Sequence, residues 1–327
     1  MRGIWMRSDD GRLRLTVLGG YLGSGKTTWL RHQLHAGSFG PHVHVIVNEA
    51  AETPVDDALL GQVTLLAGGC CCCVGQGALI AALRRICDTR SQTGAARIDA
   101  VVLETSGLAD PGAIVAAIQG DPVLVNHILL AETLVAVDAL HAVSQLTTEP
   151  LGRRQVGAAD RLILTKTDAC APADLAALRA TLAALNPGAE VTAATLGEPV
   201  VLPALPPGTK AATLPPLSEE DGRGPILPTQ VQVSPDIDWS AFALWLSALL
   251  HARGDDLVRV KGVIRTPAGR LLLQTVRRVV QSPEILPDQP DKGQDNRVVF
   301  IGRGYHPADL GRSLHKFLGR PKPAPSE

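Results

Sequence analysis

The stretch Gly20-Tyr-Leu-Gly-Ser-Gly25-Lys26-Thr27 is the strongest constraint on what this chain can fold into. It fits the spacing G-x-x-x-x-G-K-[ST], it follows the apolar run Leu13 to Leu18, and it opens a segment with helical patterning. A phosphate-cradling loop needs that strand, loop and helix context. The glycines let backbone N–H groups turn inward around an anion, and the helix start adds partial positive charge. Lys26 is then expected to reach the β- and γ-phosphates, and the Thr27 hydroxyl to ligate Mg²⁺. The motif predicts binding and hydrolysis of a purine nucleoside triphosphate, with Gly23, Ser24, Gly25, Lys26, Thr27 and Thr28 around the phosphates.

The rest of the chain has the pattern such a loop requires. Short apolar runs at Leu13 to Leu18, Val43 to Val47, Val63 to Leu66, Ile98 to Leu103, Leu134 to Val137 and Arg161 to Thr165 read as strands. Between them lie segments with helical spacing, such as Leu79, Ile80, Leu83 and Ile86, or Leu175, Leu178, Leu182 and Leu185. Alternation of this kind predicts a doubly wound α/β domain with a mostly parallel sheet over residues 13–194. From 195 to 228 the chain is rich in Pro, Gly, Ala and Thr and reads as a linker without regular structure. Residues 229–320 then read as a smaller α+β domain. Its strands are Gln230 to Val233, Leu257 to Arg265, Leu271 to Val280 and Val298 to Ile301. One helix starts at Asp238 and another at Pro307. Residues 1–12 are expected to be a disordered extension and 321–327 a tail.

Composition narrows the partners. With 31 Lys+Arg against 32 Asp+Glu, the formal charge of -1 gives no bulk attraction to nucleic acid or to an anionic membrane. The start of the chain has no apolar signal core. The most apolar later stretch, Val123 to Val143, is interrupted by Asn126, His127, Glu132 and Asp138, so no run reaches the length of a membrane helix. A soluble cytoplasmic protein is expected, binding neither nucleic acid nor membrane.

Two further segments sit at strand ends, where ligand sites of open α/β sheets gather. The run Ile98 to Leu103 leads into Glu104-Thr-Ser-Gly107. Glu104 is placed to hold an Mg²⁺-bound water, and Gly107 to offer an N–H to the γ-phosphate, leaving Leu108 to Pro111 able to respond when that phosphate departs. Thr165-Lys-Thr-Asp168 resembles the Asn-Lys-x-Asp element of GTPases, whose acid pairs with guanine N1 and N2. Lys166 and Asp168 match it. Thr165 replaces the usual Asn and alters one polar contact of the base pocket, so ATP stays open beside GTP.

Four of the six cysteines, Cys70 to Cys73, are consecutive and follow the strand Val63 to Leu66. They cannot staple distant segments. Thiolates suit Zn²⁺, Cu(I) and other late metals, and two or three sulfurs with a further donor or an open position would make a site. Buried or reactive thiols are the alternative. Glu49, after the second strand, could sense the γ-phosphate, orient water or join the metal site, or simply end the strand. His42 and His44 read as ordinary strand residues, and Cys87 and Cys170 as core residues on helical segments.

Taken together these pieces resemble the CobW-like and nitrile-hydratase-activator-like P-loop GTPases. The matching features are Gly20 to Thr28, Asn48-Glu49, Gly69-Cys70-x-Cys72-Cys73, Glu104-Thr-Ser-Gly-Leu-Ala-Asp-Pro111, Val137-Asp138 and Thr165-Lys-x-Asp168. Leu257-Val-Arg-Val-Lys-Gly262 and Val299-Phe-Ile-Gly-Arg303 are similar to the family's C-terminal domain. The resemblance implies a GTPase, with Lys26, Glu49 and Glu104 in its catalytic set. Its nucleotide state would govern transition-metal binding at Cys70, Cys72 and Cys73 and delivery to a client metalloprotein. Zn²⁺ is favoured thermodynamically over Co²⁺ or Fe²⁺. Cys71 falls on the family's variable position and is not expected to bind metal. The His-rich stretch of many members is absent, since residues 195–228 contain no His. The competing expectation is a regulatory module that uses slow turnover as a timer for partner docking, with the cysteines as a redox or metal sensor. A homo-oligomer is compatible with either.

Overall fold

A computed structural model describes residues 11–48, 62–66, 71, 75–92, 94, 97–217, 226–235, 237–267, 269–276, 279–280, 283–286 and 295–318. The expected extension up to residue 10 and the tail lie outside these. The chain divides into two units, 1–217 and 218–327.

In the first unit the order is β1 (Leu13–Gly20), α1 (Lys26–His35), β2 (Val43–Val47), β3 (Gln62–Leu65), α2 (Gln76–Arg90), β4 (Ala100–Glu104), α3 (Pro111–Gln119), α4 (Leu124–His127) and β5 (Ile128–Asp138). There follow α5 (Ala142–Thr148), α6 (Pro150–Ala158), β6 (Arg161–Thr165), α7 (Pro172–Leu185), β7 (Glu190–Thr195) and β8 (Glu198–Val200). The strands lie in the order β3-β2-β4-β1-β5-β6-β7-β8. All pairs are parallel except β7 with β8. Strands buried on both faces must be apolar on both, which is why β4 reads Ala-Val-Val-Leu-Glu without alternation. Side chains still alternate between two cores. Leu134 and Ile163 join Trp29, Leu30 and Val45 on one face. Val135, Val137, Leu162 and Leu164 join Leu178 and Leu182 of α7 on the other. β1 has β4 on one flank and β5 on the other, and the strand order reverses there, a place where such sheets open a crevice for ligands.

Two expectations for this unit need correction. The strand read at Leu134 to Val137 begins at Ile128, because Glu132 does not break it: its carboxylate is ion-paired with Arg161 across the sheet at 2.9 Å. The proline-rich stretch is also not devoid of structure. β8 folds back on β7 through Leu196-Gly197, whose φ angles of 51° and 93° suit a two-residue hairpin turn. Beyond it, the Ala212 N–H donates to Thr181 Oγ1 at 2.8 Å, and the Pro215 carbonyl accepts from Arg153 at 2.7 Å.

The second unit contains β9 (Ile226–Gln232), α8 (Trp239–Arg253), β10 (Leu257–Thr266), β11 (Gly269–Val276), β12 (Val279–Val280), β13 (Glu284–Leu286), β14 (Arg297–Arg303) and α9 (Pro307–Leu318). The sheet is antiparallel, in the order β12-β11-β10-β14-β9, with β13 also on β11. Pro228 is accommodated because, among the described residues, β9 pairs with β14 alone. Asp238 caps α8 by accepting from the Ser240 and Ala241 amides. The face it starts, Phe242, Trp245, Leu246 and Leu250, packs with Phe300 and with Leu310 and Leu314 of α9. Asp295, 3% exposed, takes Arg265 at 2.7 Å and Arg270 at 2.9 Å. The run read as one strand from Leu271 to Val280 is two, β11 and β12.

Candidate functional site

Gly20, Gly23 and Gly25 all lie at positive φ, at 137°, 70° and 81°. At Gly20 the requirement is also one of space, since a Cβ there would stand 2.4 Å from the Ala136 carbonyl oxygen and 2.7 Å from Ser24 Oγ. α1 begins at Lys26 with Gly25 as its N-cap and no side chain capping it. Its first amides therefore point into the loop, as anion binding requires. Lys26 is buried, and its Nζ donates to the Gly20 and Tyr21 carbonyls at 3.0 Å each. The Ser24 side chain is 1% exposed, and its hydroxyl finds no hydrogen-bond partner among the described residues. A buried hydroxyl left in this way inside a loop of inward-facing amides suits a polar guest such as a phosphate. Thr28, in the first turn of α1, is exposed.

β4 brings Glu104 to the foot of this loop. Its carboxylate is 1% exposed, and Oε1 accepts from the Thr27 hydroxyl at 2.5 Å. Two hard oxygen donors side by side fit Mg²⁺. Beyond Glu104 the backbone passes directly against the loop. A Cβ on Gly107 would fall 2.7 Å from the Leu22 nitrogen and 2.8 Å from its Cα, so only glycine fits there. The segment after it is tied down. Gln155 of α6, 2% exposed, donates through Nε2 to the Gly107 carbonyl at 3.2 Å and to the Ala109 carbonyl at 2.9 Å. Asp110 caps α3 by accepting from the Gly112 and Ala113 amides. Of Leu108 to Pro111, read as able to respond when the γ-phosphate leaves, only Leu108 projects into solvent, at 52% exposure. Sequence reading missed Gln155; its one signal is a glutamine between the buried residues Gly152, Arg153 and Val156 of a helix.

The base-side element begins at Thr165, at the end of β6. Its hydroxyl faces the phosphate loop, donating to the Ser24 carbonyl at 2.8 Å with the Val137 carbonyl at 3.3 Å, and its Cβ lies against Gly25. It braces the loop. Lys166 then turns left-handed at φ 57°, and its Nζ reaches Asp138 Oδ2 at 2.7 Å. Burial pushes the Asp138 carboxyl up, but bonds from Lys166, His141 and the Leu140 amide outweigh it and hold the group below the usual carboxylate range. That anchored pair carries the chain into a 3₁₀ turn, Thr167–Ala169, where Asp168 stands exposed. Cys170 sits just after this turn, not on a helix, with Sγ 3.5 Å from the Ala139 carbonyl; burial pushes its thiol up.

Of the cysteine motif, Cys71 falls among the described residues. It is fully buried, and its amide donates to Asn48 Oδ1 at 3.1 Å at the end of β2. Cys70, Cys72, Cys73 and Glu49 lie outside the described residues. His44 is an ordinary strand residue, bonded to Thr64 at 2.8 Å, and Cys87 lies on α2. No helix among the described residues is long and apolar enough to cross a membrane.

A glycine loop closed by a buried lysine, a hydroxyl against an acid at the next strand, and an exposed acid beyond a third strand together define a P-loop nucleoside triphosphatase. Residues 14–193 match the CobW/HypB/UreG nucleotide-binding domain, and residues 229–318 the cobalamin synthesis protein cobW C-terminal domain. The chain belongs to the CobW/HypB/UreG family. It is 33% identical over 311 residues to the zinc chaperone YjiA of Escherichia coli, covering 89% of this chain and 94% of that protein. It is 30% identical over 360 aligned positions to the zinc chaperone CobW of Pseudomonas aeruginosa, covering 94% and 92%. The crystal structure of Zn(II)-bound YjiA GTPase from E. coli is similar with a TM-score of 0.61 at 26% identity, covering 94% of this chain and 99% of that one.

Proposed function

We propose that this protein is a GTP-hydrolysing zinc chaperone, which binds Zn²⁺ at Cys70, Cys72 and Cys73 in a nucleotide-dependent way and passes it to a client metalloprotein. The observation that carries the reading is the bond from the Cys71 amide to Asn48, which ties the thiol motif to the end of β2, next to the strand that presents Glu104 to Thr27. The named activity of the relatives supports zinc as the cargo.

In this reading the triphosphate lies in the loop of Gly23, Ser24 and Gly25, and Lys26 exchanges its bonds to two neutral carbonyls for charge-assisted bonds to the β- and γ-phosphates. Mg²⁺, when bound, would be held by Thr27 and Glu104 and would supply charge neutralisation between those phosphates. The Gly107 amide meets the γ-phosphate, while Gln155 keeps the carbonyls of that segment turned away from it. Water, oriented by Glu49, attacks the γ-phosphorus; the bond to the β-γ bridging oxygen breaks, and GDP and inorganic phosphate form. Asp168 pairs with guanine, on a turn fixed by Lys166 and Asp138.

Zinc titration against a competing chromophoric chelator, with and without Mg²⁺ and a non-hydrolysable GTP analogue, tests the proposal. Coupling must be reciprocal, so Zn²⁺ should tighten the analogue by the same factor, on the order of 5- to 150-fold, as the analogue tightens Zn²⁺. Equal zinc affinities in the two states refute it.

A further inference from the structure

We infer that Asn48 is the positioning residue through which the nucleotide pocket sets the geometry of the thiol loop. The inference rests on the zinc-chaperone reading and assigns its coupling to one side chain. Asn48 is 2% exposed at the end of β2 and is bonded in two directions. Its backbone N–H donates to the Glu104 carbonyl at 2.9 Å. Its side-chain Oδ1 accepts from the Cys71 N–H at 3.1 Å. Glu104 in turn accepts from Thr27, the first-turn hydroxyl of the phosphate-loop helix. One short path therefore runs from Thr27 through Glu104 and Asn48 to Cys71.

Its far end is informative. The N–H held by Asn48 belongs to the planar peptide that joins Cys70 to Cys71. Asn48 fixes the orientation of that peptide, and the Cys71 side chain is itself locked in the interior at 0% exposure. Cys71 is thus the anchor of the motif, which accounts for its having no place among the ligands. The stretch from Glu104 onward is stiff, because the Asn48 N–H to the Glu104 carbonyl is a backbone bond and the Cys71 N–H to Asn48 Oδ1 is a buried bond to a short side chain, so displacement of the Glu104 backbone is transmitted and not absorbed. The parallel strands reinforce it, with Val47 in register with Glu104 on one side and Leu65 on the other, and the Leu66 amide on the Val47 carbonyl at 2.9 Å.

The test compares the zinc affinity ratio, with and without the GTP analogue and Mg²⁺, in the full-length wild type, Asn48→Leu and Asn48→Asp. Leucine fills the same space without an acceptor; aspartate keeps an oxygen for the Cys71 amide. The wild-type ratio, on the order of 10-fold, should fall to near 1 in Asn48→Leu, with zinc alone and nucleotide alone bound close to wild type, and should be largely restored in Asn48→Asp. An unchanged ratio in Asn48→Leu overturns the inference and leaves the chaperone reading standing. Should Asn48→Leu fail to fold, Asn48→Ala decides: a ratio near 1 supports the inference and an unchanged ratio overturns it. A wild-type ratio of 1 refutes both.

Discussion

Replacing Thr165 by valine would remove one hydroxyl and keep the shape of the side chain, at a point where the structure predicts a consequence for all nucleotides alike. The hydroxyl proton lies on the Ser24 carbonyl at 2.8 Å; the Val137 carbonyl, at 3.3 Å, is the weaker contact. Losing a neutral bond of this kind costs about 0.5–1.5 kcal/mol, rising to about 3 kcal/mol if the buried Ser24 carbonyl finds no other donor. For a domain of this size each kcal/mol lowers Tm by about 2–4 °C. The carbonyl belongs to the phosphate loop, so part of the loss appears as a smaller fraction of loops in the binding-competent shape. A loss of about 1.4 kcal/mol there weakens apparent affinity by about 10-fold. Because the brace touches phosphate-side backbone, GTP, GDP and ATP should weaken together. Competition of each nucleotide against a fluorescent GDP, read by anisotropy, measures this. If Thr165→Val instead alters the GTP to ATP ratio while GDP binds as before, the hydroxyl serves the base pocket and the assignment is wrong.

Two other variants probe the scaffold around the site. Gly107→Ala drives a Cβ to 2.7 Å from the Leu22 nitrogen, while Gln155 holds the Gly107 carbonyl in place. A cost of about 1–3 kcal/mol and slower hydrolysis are expected, measured by thermal melting and phosphate release; an unchanged melt with wild-type turnover contradicts the close approach. In the second unit, Asp295→Ala strands two arginines. The cost should fall near the lower end of about 3–5 kcal/mol, since Arg265 is 33% exposed, as seen in urea melts followed by the Trp239 and Trp245 fluorescence. Bonds from Arg270, outweighing burial, hold the Asp295 carboxyl below its usual range. Its contribution is therefore fully present above about pH 4 and lost as pH falls below that. The variant should lose part of the wild-type acid sensitivity there, and identical acid profiles would refute the pairing.

Much of the phosphate site can be read locally, because it depends on neighbours in the chain. Glycines at fixed spacing permit positive φ, and lysine and threonine follow where the helix begins. Glu104 and Asp168 are similarly legible, as acids one residue or a turn past an apolar run. The α8 start is legible for the same reason, since an Asp238 cap acts on amides two and three residues ahead.

What the tertiary structure alone decided is where side chains go once the strands take their order. In the sequence Thr165 stands only as a departure from the usual Asn of the base-side element. The placement of β6 beyond β5 and β1 sends its hydroxyl to a carbonyl 141 residues away. Gln155 braces carbonyls 48 and 46 residues back, and Asn48 holds an amide 23 residues on. None of these has a local signature, because a buried polar side chain is specified by whichever backbone group it must satisfy. That group arrives only when β2, β4 and β1 lie side by side. The sequence by itself determined the glycine loop, its lysine and threonine, and the acids at the strand ends; the packing of distant strands decided how that loop is braced and that the Cys71 amide is held by Asn48.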